Sequence, residues 1–462
     1  MTRARSPERQ RREAAQAAIG EVKASDLRQS IRRIRDYVRP YAELLSRSEL
    51  RRHTTAMIAG LTSDLERKSV EPIAVMQGIP RERLQRFVGG SKWAWTPLLD
   101  RLRQEVTREI GIPDGSLVLD GSATPKKGVA TVGVARQWCG RLGKQDNCVV
   151  GVYAAYVGRD DAAALVDCEL FLPRDWVDDR KRRTAVNVPS AIEYRTQPAI
   201  AKAMLEALAG KVPFTWVLGD DEFGRTQAIR DAVRALNRNY IVDVPKNTVV
   251  RRRRSSDQAL CRRRWEVEDL VREIPRGRWS TLAVRDGEKG PVTVRAVMIE
   301  VVTERERRKW VAETLVAVET LDGRERSYCL AHAPAGTSLE EFVRRGKLRH
   351  RIEEVFEEAK GEVGLDHFET RSWQGWHHHM TLSLMAHWFL LREKRRLGKK
   401  SGGLDHQHGS ESGRLGDAPA DSGTGSELRE LPTATQRGGE TGALSRTGAD
   451  GPTSASPNGL DP

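Results

Sequence analysis

The sequence predicts an α/β protein, with a partly parallel sheet preceded by a helical region and interrupted by a run of antiparallel strands. Three observations carry this. From Pro198 to Pro245 a helical pattern, the apolar run FTWVLGD, a second helical pattern and NYIVDVP follow one another, and this β-α-β order makes the two strands parallel neighbours. Residues 116–172 alternate with a period of two between tight turns. Residues 31–111 and 349–391 carry apolar side chains at helical spacing.

A chain of 462 residues allows two or three domains and a sizeable core. Lysine and arginine number 78 against 64 acids, a formal charge of +14, which favours a polyanionic partner such as double-stranded DNA. The five cysteines are scattered without CxxC pairs, which argues against a zinc knuckle or a disulfide framework and fits a reduced cytoplasm. No apolar run reaches membrane length, and the N-terminal stretch MTRARSPERQRREAAQ lacks a hydrophobic segment, so a soluble cytoplasmic protein without a membrane partner is expected.

In chain order, residues 1–30 read as a basic, disordered arm. Residues 31–112 form a helical region in which Leu44, Leu45, Leu50, Met57, Ile58 and Leu61 mark one or two helices ending near Gly60. In SVEPIAVMQGIPRERLQRFV, Ser69 caps a helix with Pro72 in its first turn, Gly78 stops it, and Pro80 opens a second that buries Leu84, Phe87 and Val88. The pair fits either a helix-turn-helix, presenting Arg81, Arg83, Gln85 and Arg86 to DNA, or an ordinary helical hairpin. Trp93 and Trp95 read as packing residues.

SLVLD (116–120) is a strand closing on an acid, and VATVGVARQW, CVVGVYAAYVG and VDCELFLP read as three more strands. Lys126 and Lys127 in the first turn are either phosphate contacts or ordinary turn lysines. FTWVLGD closes on an acid as well, at the carboxyl end of a strand where ligands of α/β sheets collect. Asp220 and Asp221 both stand there, and Asp220 comes first after the strand. Residues 246–335 interrupt this logic with charge runs and alternating strands, read as an inserted β subdomain.

The stretch RHRIEEVFEEAKGEVGLD (349–366) buries Ile352, Val355, Phe356 and Ala359 along one helix face. Its polar face sets Arg349, Glu353, Glu357 and Lys360 one turn apart, either as a solvated salt-bridged face or as carboxylates for a hard cation. Asp120, Asp220 and Glu353 together make an Asp/Asp/Glu set of the ligand type preferred by Mg²⁺. A strongly apolar closing helix follows, with Trp376, Met380, Leu384, Trp388 and Leu391 against the sheet. Consecutive His377, His378 and His379 point in different directions on a helix, so surface or capping roles are expected rather than a shared metal. Residues 396–462 collapse to Gly, Ser, Thr, Asp and Pro and read as a disordered tail.

The segments VLDGSATPKKG, GVARQWCGRLGKQDNCVVGVY, ELFLPRDWVDDRKRR, WVLGDDEFGR, the 349–366 helix and RSWQGWHHHMTLSLMAHWFL resemble, in order from about Tyr37 to Leu391, the DDE transposases of bacterial insertion sequences, in particular the IS701 family of the IS4-like assemblage. The resemblance implies an RNase H-like catalytic domain over 113–395 with a β insertion between the second Asp and the Glu. It implies that Asp120, Asp220 and Glu353 are the catalytic, metal-binding triad, using Mg²⁺ or Mn²⁺ for cleavage and strand transfer at DNA ends. The Arg-x₃-Glu-x₆-Lys signature falls on Arg349, Glu353 and Lys360, with Arg349 and Lys360 expected on DNA phosphates. The implied partners are terminal inverted repeats, target DNA and further copies of the chain. Gly346 stands at the signature's upstream Tyr, and Gly121 and Ser122 follow the first Asp where a second acid and a Thr are common. These departures leave an inactive or repurposed transposase-derived DNA-binding protein as the alternative.

Overall fold

Helical periodicity at the N-terminus and period-two segments after it become two layers in the computed structural model, which describes residues 29–252, 260–287, 290–305 and 310–401. Most of the arm expected over 1–30, residues 253–256 of the RRRRSS run and the tail beyond residue 401 lie outside the described residues.

Among the described residues five helices come first: α1 (Ser30–Ala42), α2 (Ser48–Leu61), α3 (Val70–Gln77), α4 (Arg81–Gly89) and α5 (Thr96–Ile110). Gly78 stops α3 in the left-handed region at φ +61°, as its position between the two apolar runs predicts. Ser69 sits at the N-cap of α3, but its side chain makes no capping hydrogen bond. Leu84, Phe87 and Val88 of α4 are buried, and Trp93 stacks on Phe87 at 5.3 Å.

The sheet follows, built from β1 (Ser116–Pro125), β2 (Ala135–Cys139), β3 (Lys144–Val157), β4 (Ala163–Leu170), β5 (Trp216–Gly219) and β6 (Asn239–Asp243). β3 runs antiparallel to β1, carries β2 and β4 on its other edge, and β1, β5 and β6 are mutually parallel. Of the expected strand VATVGVARQW only its end joins β2; Gly133 at φ +75° and a hydrogen bond from Val132 N–H to the Arg371 carbonyl turn the rest into a loop. Helix α6 (Gln197–Leu208) precedes β5, while α7 (Asp221–Gly224) and α8 (Gln227–Ala235) make the crossover to β6.

Four strands of the 246–335 region, β7 (Ser280–Gly287), β8 (Gly290–Glu304), β9 (Trp310–Thr320) and β10 (Arg326–His332), continue the same sheet, while Val249–Val250 and Trp265–Glu266 pair as a separate two-stranded one. β10 pairs antiparallel with β6, Cys329 opposite Asp243, so the sheet passes through this region without a break. The region also keeps an apolar cluster of its own around Trp265, Leu270, Val297 and Leu315.

Helix α9 (Leu339–Leu348), absent from the sequence reading, starts on a Ser338 cap and leads into α10 (His350–Val363). α10 buries Ile352, Val355, Phe356 and Ala359, as their spacing predicts, and ends at Gly364 in the left-handed region. The closing helix α11 (Trp373–Ser401) packs on β4, α2, α4 and α10, joining the helical layer to the sheet.

Of the surface or capping roles expected for His377, His378 and His379, the surface one does not hold: all three are buried. Because α11 is buried all round over residues 375–389, its histidines go inside too, and carbonyl groups meet His377, His378 and His379 there. His378 stacks on Trp93 at 3.6 Å, with Nδ1 2.8 Å from the Val88 carbonyl and Nε2 2.9 Å from the Trp93 carbonyl. His379 Nε2 lies 3.1 Å from the Gly364 carbonyl. Burial pushes both imidazoles down to about 4. No helix among the described residues is long and apolar enough to cross a membrane.

Trp376, 1% exposed, sits in the seam between α11 and the sheet, its ring 2.9 Å from where a Cβ on Gly151 of β3 would lie. Trp376→Ala is expected to cost about 3–5 kcal/mol of unfolding free energy in urea denaturation, the cost of an unfilled core cavity. A loss below about 1 kcal/mol would contradict the placement of this seam.

A candidate active site at the ends of three parallel strands

Parallel pairing sets Leu119 beside Gly219 and Gly219 beside Val242. The residue that follows each of these is an acid, so Asp120, Asp220 and Asp243 stand in a row across backbones about 4.8 Å apart. Asp120 Oδ1 accepts a 2.6 Å hydrogen bond from Gly121 N–H. Burial, then the Asp220 charge, push the Asp120 carboxyl up to about 7 against that bond and the pull of Arg349. Asp220 is also raised, by burial first, while its Oδ1 caps α7 by accepting from Glu222 and Phe223 N–H at 3.0 and 3.3 Å. Asp221 turns outward and pairs with Arg225 at 2.6 Å.

Glu353 comes from the first turn of α10, near enough for its charge to act on Asp120. Both of its oxygens are engaged on its own helix: Oε1 by Arg349 Nη1 at 2.9 Å and Oε2 by His350 Nδ1 at 2.8 Å. Among the described residues no three His, Cys, Asp or Glu side chains are gathered tightly enough to hold a metal ion. The structure therefore brings Asp120 and Asp220 together and leaves Glu353 beside them with its oxygens on other partners. The donor set fits a hard divalent cation, since the Asp120 charge opposes that of Asp220 and has one backbone donor to offset burial.

The cations sort differently. Arg349 Nε donates to Asp243 Oδ2 at 2.9 Å, so this side chain spans two acids. Lys360 is half-buried and lowered by desolvation, with Asp366 and Asp120 pulling it back up. Lys126 is turned inward: Nζ donates to the Phe368 carbonyl at 2.6 Å, lies 3.4 Å from that ring's centroid, and is pushed down to about 8 by burial. Lys127 beside it is exposed. On α4, Arg81 pairs with Glu71 and Glu82 at 3.3 and 3.6 Å, while Arg83 and Arg86 point to solvent without an ion pair among the described residues.

The sequence reading passed over Asp243, although NYIVD carries the same signal as SLVLD and FTWVLGD, an apolar run closing on an acid.

An unfolded aspartate ionises near 3.8, whereas folded Asp120 keeps its proton until about 7. Between those values the native state binds a proton the unfolded chain has lost, so stability falls as pH rises through this window. Asp120→Asn removes the penalty. In chelator-containing buffer the variant is expected to exceed the parent by about 2–4 kcal/mol in urea denaturation at pH 8, the gap closing toward pH 4. Equal stability at both pH values would contradict a buried, repelled carboxylate.

A family profile described as "DDE superfamily endonuclease" matches residues 40–295, a span that includes Asp120, Asp220 and Asp243 and stops before Glu353. The "Probable transposase for insertion sequence element IS701" of Microchaete diplosiphon is 31% identical over 198 residues, covering 41% of this chain and 48% of that protein. The chain thus spans about half the length of this curated relative. The helical layer, the mixed sheet with acids at adjacent parallel strand ends, and a family match over more than half of the sequence lead to one conclusion: the chain belongs to the DDE superfamily of endonucleases.

Proposed function

We propose that this protein is a DNA transposase that cuts and joins DNA at the ends of an insertion sequence, with Asp120, Asp220 and Glu353 as its divalent-cation ligands. The observation that carries the reading is the adjacency of Asp120 and Asp220 at neighbouring parallel strand ends, where the charge of Asp220 opposes ionisation of Asp120. A bound Mg²⁺ or Mn²⁺ would supply charge neutralisation at the scissile phosphate and activation of the attacking hydroxyl.

The residues of the chain do the rest. Asp120 and Asp220 bind from rigid strand ends, fixed by the Gly121 amide and by the cap of α7. Glu353 completes the set by a side-chain rotation that releases His350, for which its 44% exposed side chain has room. Lys360 meets the phosphate backbone on the α10 side, and Arg83, Arg86 and Lys127 supply sequence-independent phosphate contacts. Terminal repeats and target DNA are the proposed partners, bound by more than one copy of the chain.

One observation favours a second reading, a DNA-binding protein without activity: Glu353 has both oxygens on Arg349 and His350. The full chain incubated with Mg²⁺ and DNA carrying the element's own ends separates the two. Cleavage followed by strand-transfer product is expected, and Asp120→Ala, Asp220→Ala and Glu353→Ala are each expected to lower the rate more than about 100-fold, beyond what loss of a supporting residue costs. Binding without cleavage, or cleavage untouched by these changes, contradicts the proposal; cleavage that never yields joined product makes the protein a nuclease.

A further inference from the structure

Asp243 is the third acid in the row, and nothing in the reaction outlined above uses it. Its oxygens are both engaged: Oδ2 accepts from Arg349 Nε at 2.9 Å, and Oδ1 accepts from the Cys329 thiol at 3.1 Å, across the β6–β10 pairing. Arg349 passes the contact on, its Nη1 donating to Glu353 Oε1 at 2.9 Å. A guanidinium is a rigid planar fork, so fixing Nε on one acid fixes the direction in which Nη1 points.

This changes the worth of the Arg349–Glu353 pair. Alone, an i,i+4 pair on a helix surface contributes only a few tenths of a kcal/mol and leaves both side chains free to wander. Here one end is tied to a strand of the central sheet, and the two acids engage Nε and Nη1 of Arg349, holding the plane of the guanidinium at two of its three nitrogens. Sites held from rigid elements keep their geometry better than sites held by loops or lone side chains.

From this geometry we infer that Asp243 is a positioning residue: through Arg349 it sets where the Glu353 carboxylate stands relative to Asp120 and Asp220. The inference rests on the proposed triad and deepens it. It also makes Arg349 an internal strut first and a phosphate contact second.

The test is Mn²⁺ binding to the full chain by calorimetry, without DNA, for the parent, Asp243→Asn, Asp243→Glu, Arg349→Lys and the Asp243→Asn/Arg349→Lys double variant. Asp243→Asn keeps the shape and removes the charge, and Arg349→Lys keeps the charge and removes the fork. Each is expected to weaken Mn²⁺ about ten-fold or more, the usual effect of losing a residue that orients a ligand. The double variant is expected to bind no more weakly than the worse single, because both changes break one relay, and Asp243→Glu is expected to recover part of the loss. The salt dependence of DNA affinity should not change in Asp243→Asn, since no phosphate contact is lost.

Parental Mn²⁺ affinity in Asp243→Asn, additive losses in the double variant, or a lower melting temperature as its sole effect would overturn the inference. Complete loss of binding in Asp243→Asn, as for Asp120→Ala, would make Asp243 a ligand and overturn it too. A parent that binds no Mn²⁺ contradicts the proposed triad itself, whereas a binding parent with an unaffected Asp243→Asn contradicts only the role given to Asp243.

Discussion

The parallel pairing of β1, β5 and β6 is the constraint from which the rest of this structure follows. In a parallel ladder, residues in register leave the strands on the same side, so three apolar runs that each end on an acid must set three carboxylates side by side. Like charges do not gather unless something holds them. Here the holding is done by the buried strand residues Leu117 to Leu119, Trp216 to Leu218 and Tyr240 to Val242, apolar on both faces, which cannot slip inward without drawing the acid that follows them into the core.

Around this row the protein manages charge by local pairing. A backbone amide meets Asp120, a short helix N-terminus meets Asp220, and a thiol and a guanidinium meet Asp243. The partners grow stronger along the row, and Asp120 is left with the least. That gradient leaves Asp120, with one amide, the acid with most need of a further partner, and it sets that need at β1, beside α10. The closing helix α11 holds this arrangement from behind. Its buried histidines, fixed by carbonyl contacts to α4 and to the turns around it, tie the N-terminal helices to the sheet that carries the acids.

Much of this was legible in the sequence wherever the signal was local. The run-then-acid pattern marked β1 and β5, apolar spacing marked α10 together with its buried residues, and Gly78 marked the turn between α3 and α4. What escaped needed a partner distant in the chain. His378 looks like a surface residue until Trp93 and the Val88 carbonyl stand beside it, and Lys126 looks like a turn lysine until Phe368 closes over it. The strands of residues 246–335 alternate like a separate subdomain, and only the pairing of Cys329 with Asp243 reveals that β7 to β10 extend the central sheet. Asp243 itself was readable by the same rule as Asp120, yet its role depends on Arg349, 106 positions later by the numbering, and spacing carries no trace of that contact.

The claim on which everything else depends is that Asp120 and Asp220 form one cation site that Glu353 completes. Anomalous diffraction from crystals of the full chain soaked in Mn²⁺ addresses it directly. The account predicts a peak bridging the Asp120 and Asp220 carboxylates, with Glu353 released from His350 and turned toward it. A peak on Asp221 with none at Asp120, or no peak at this end of the sheet, would contradict it.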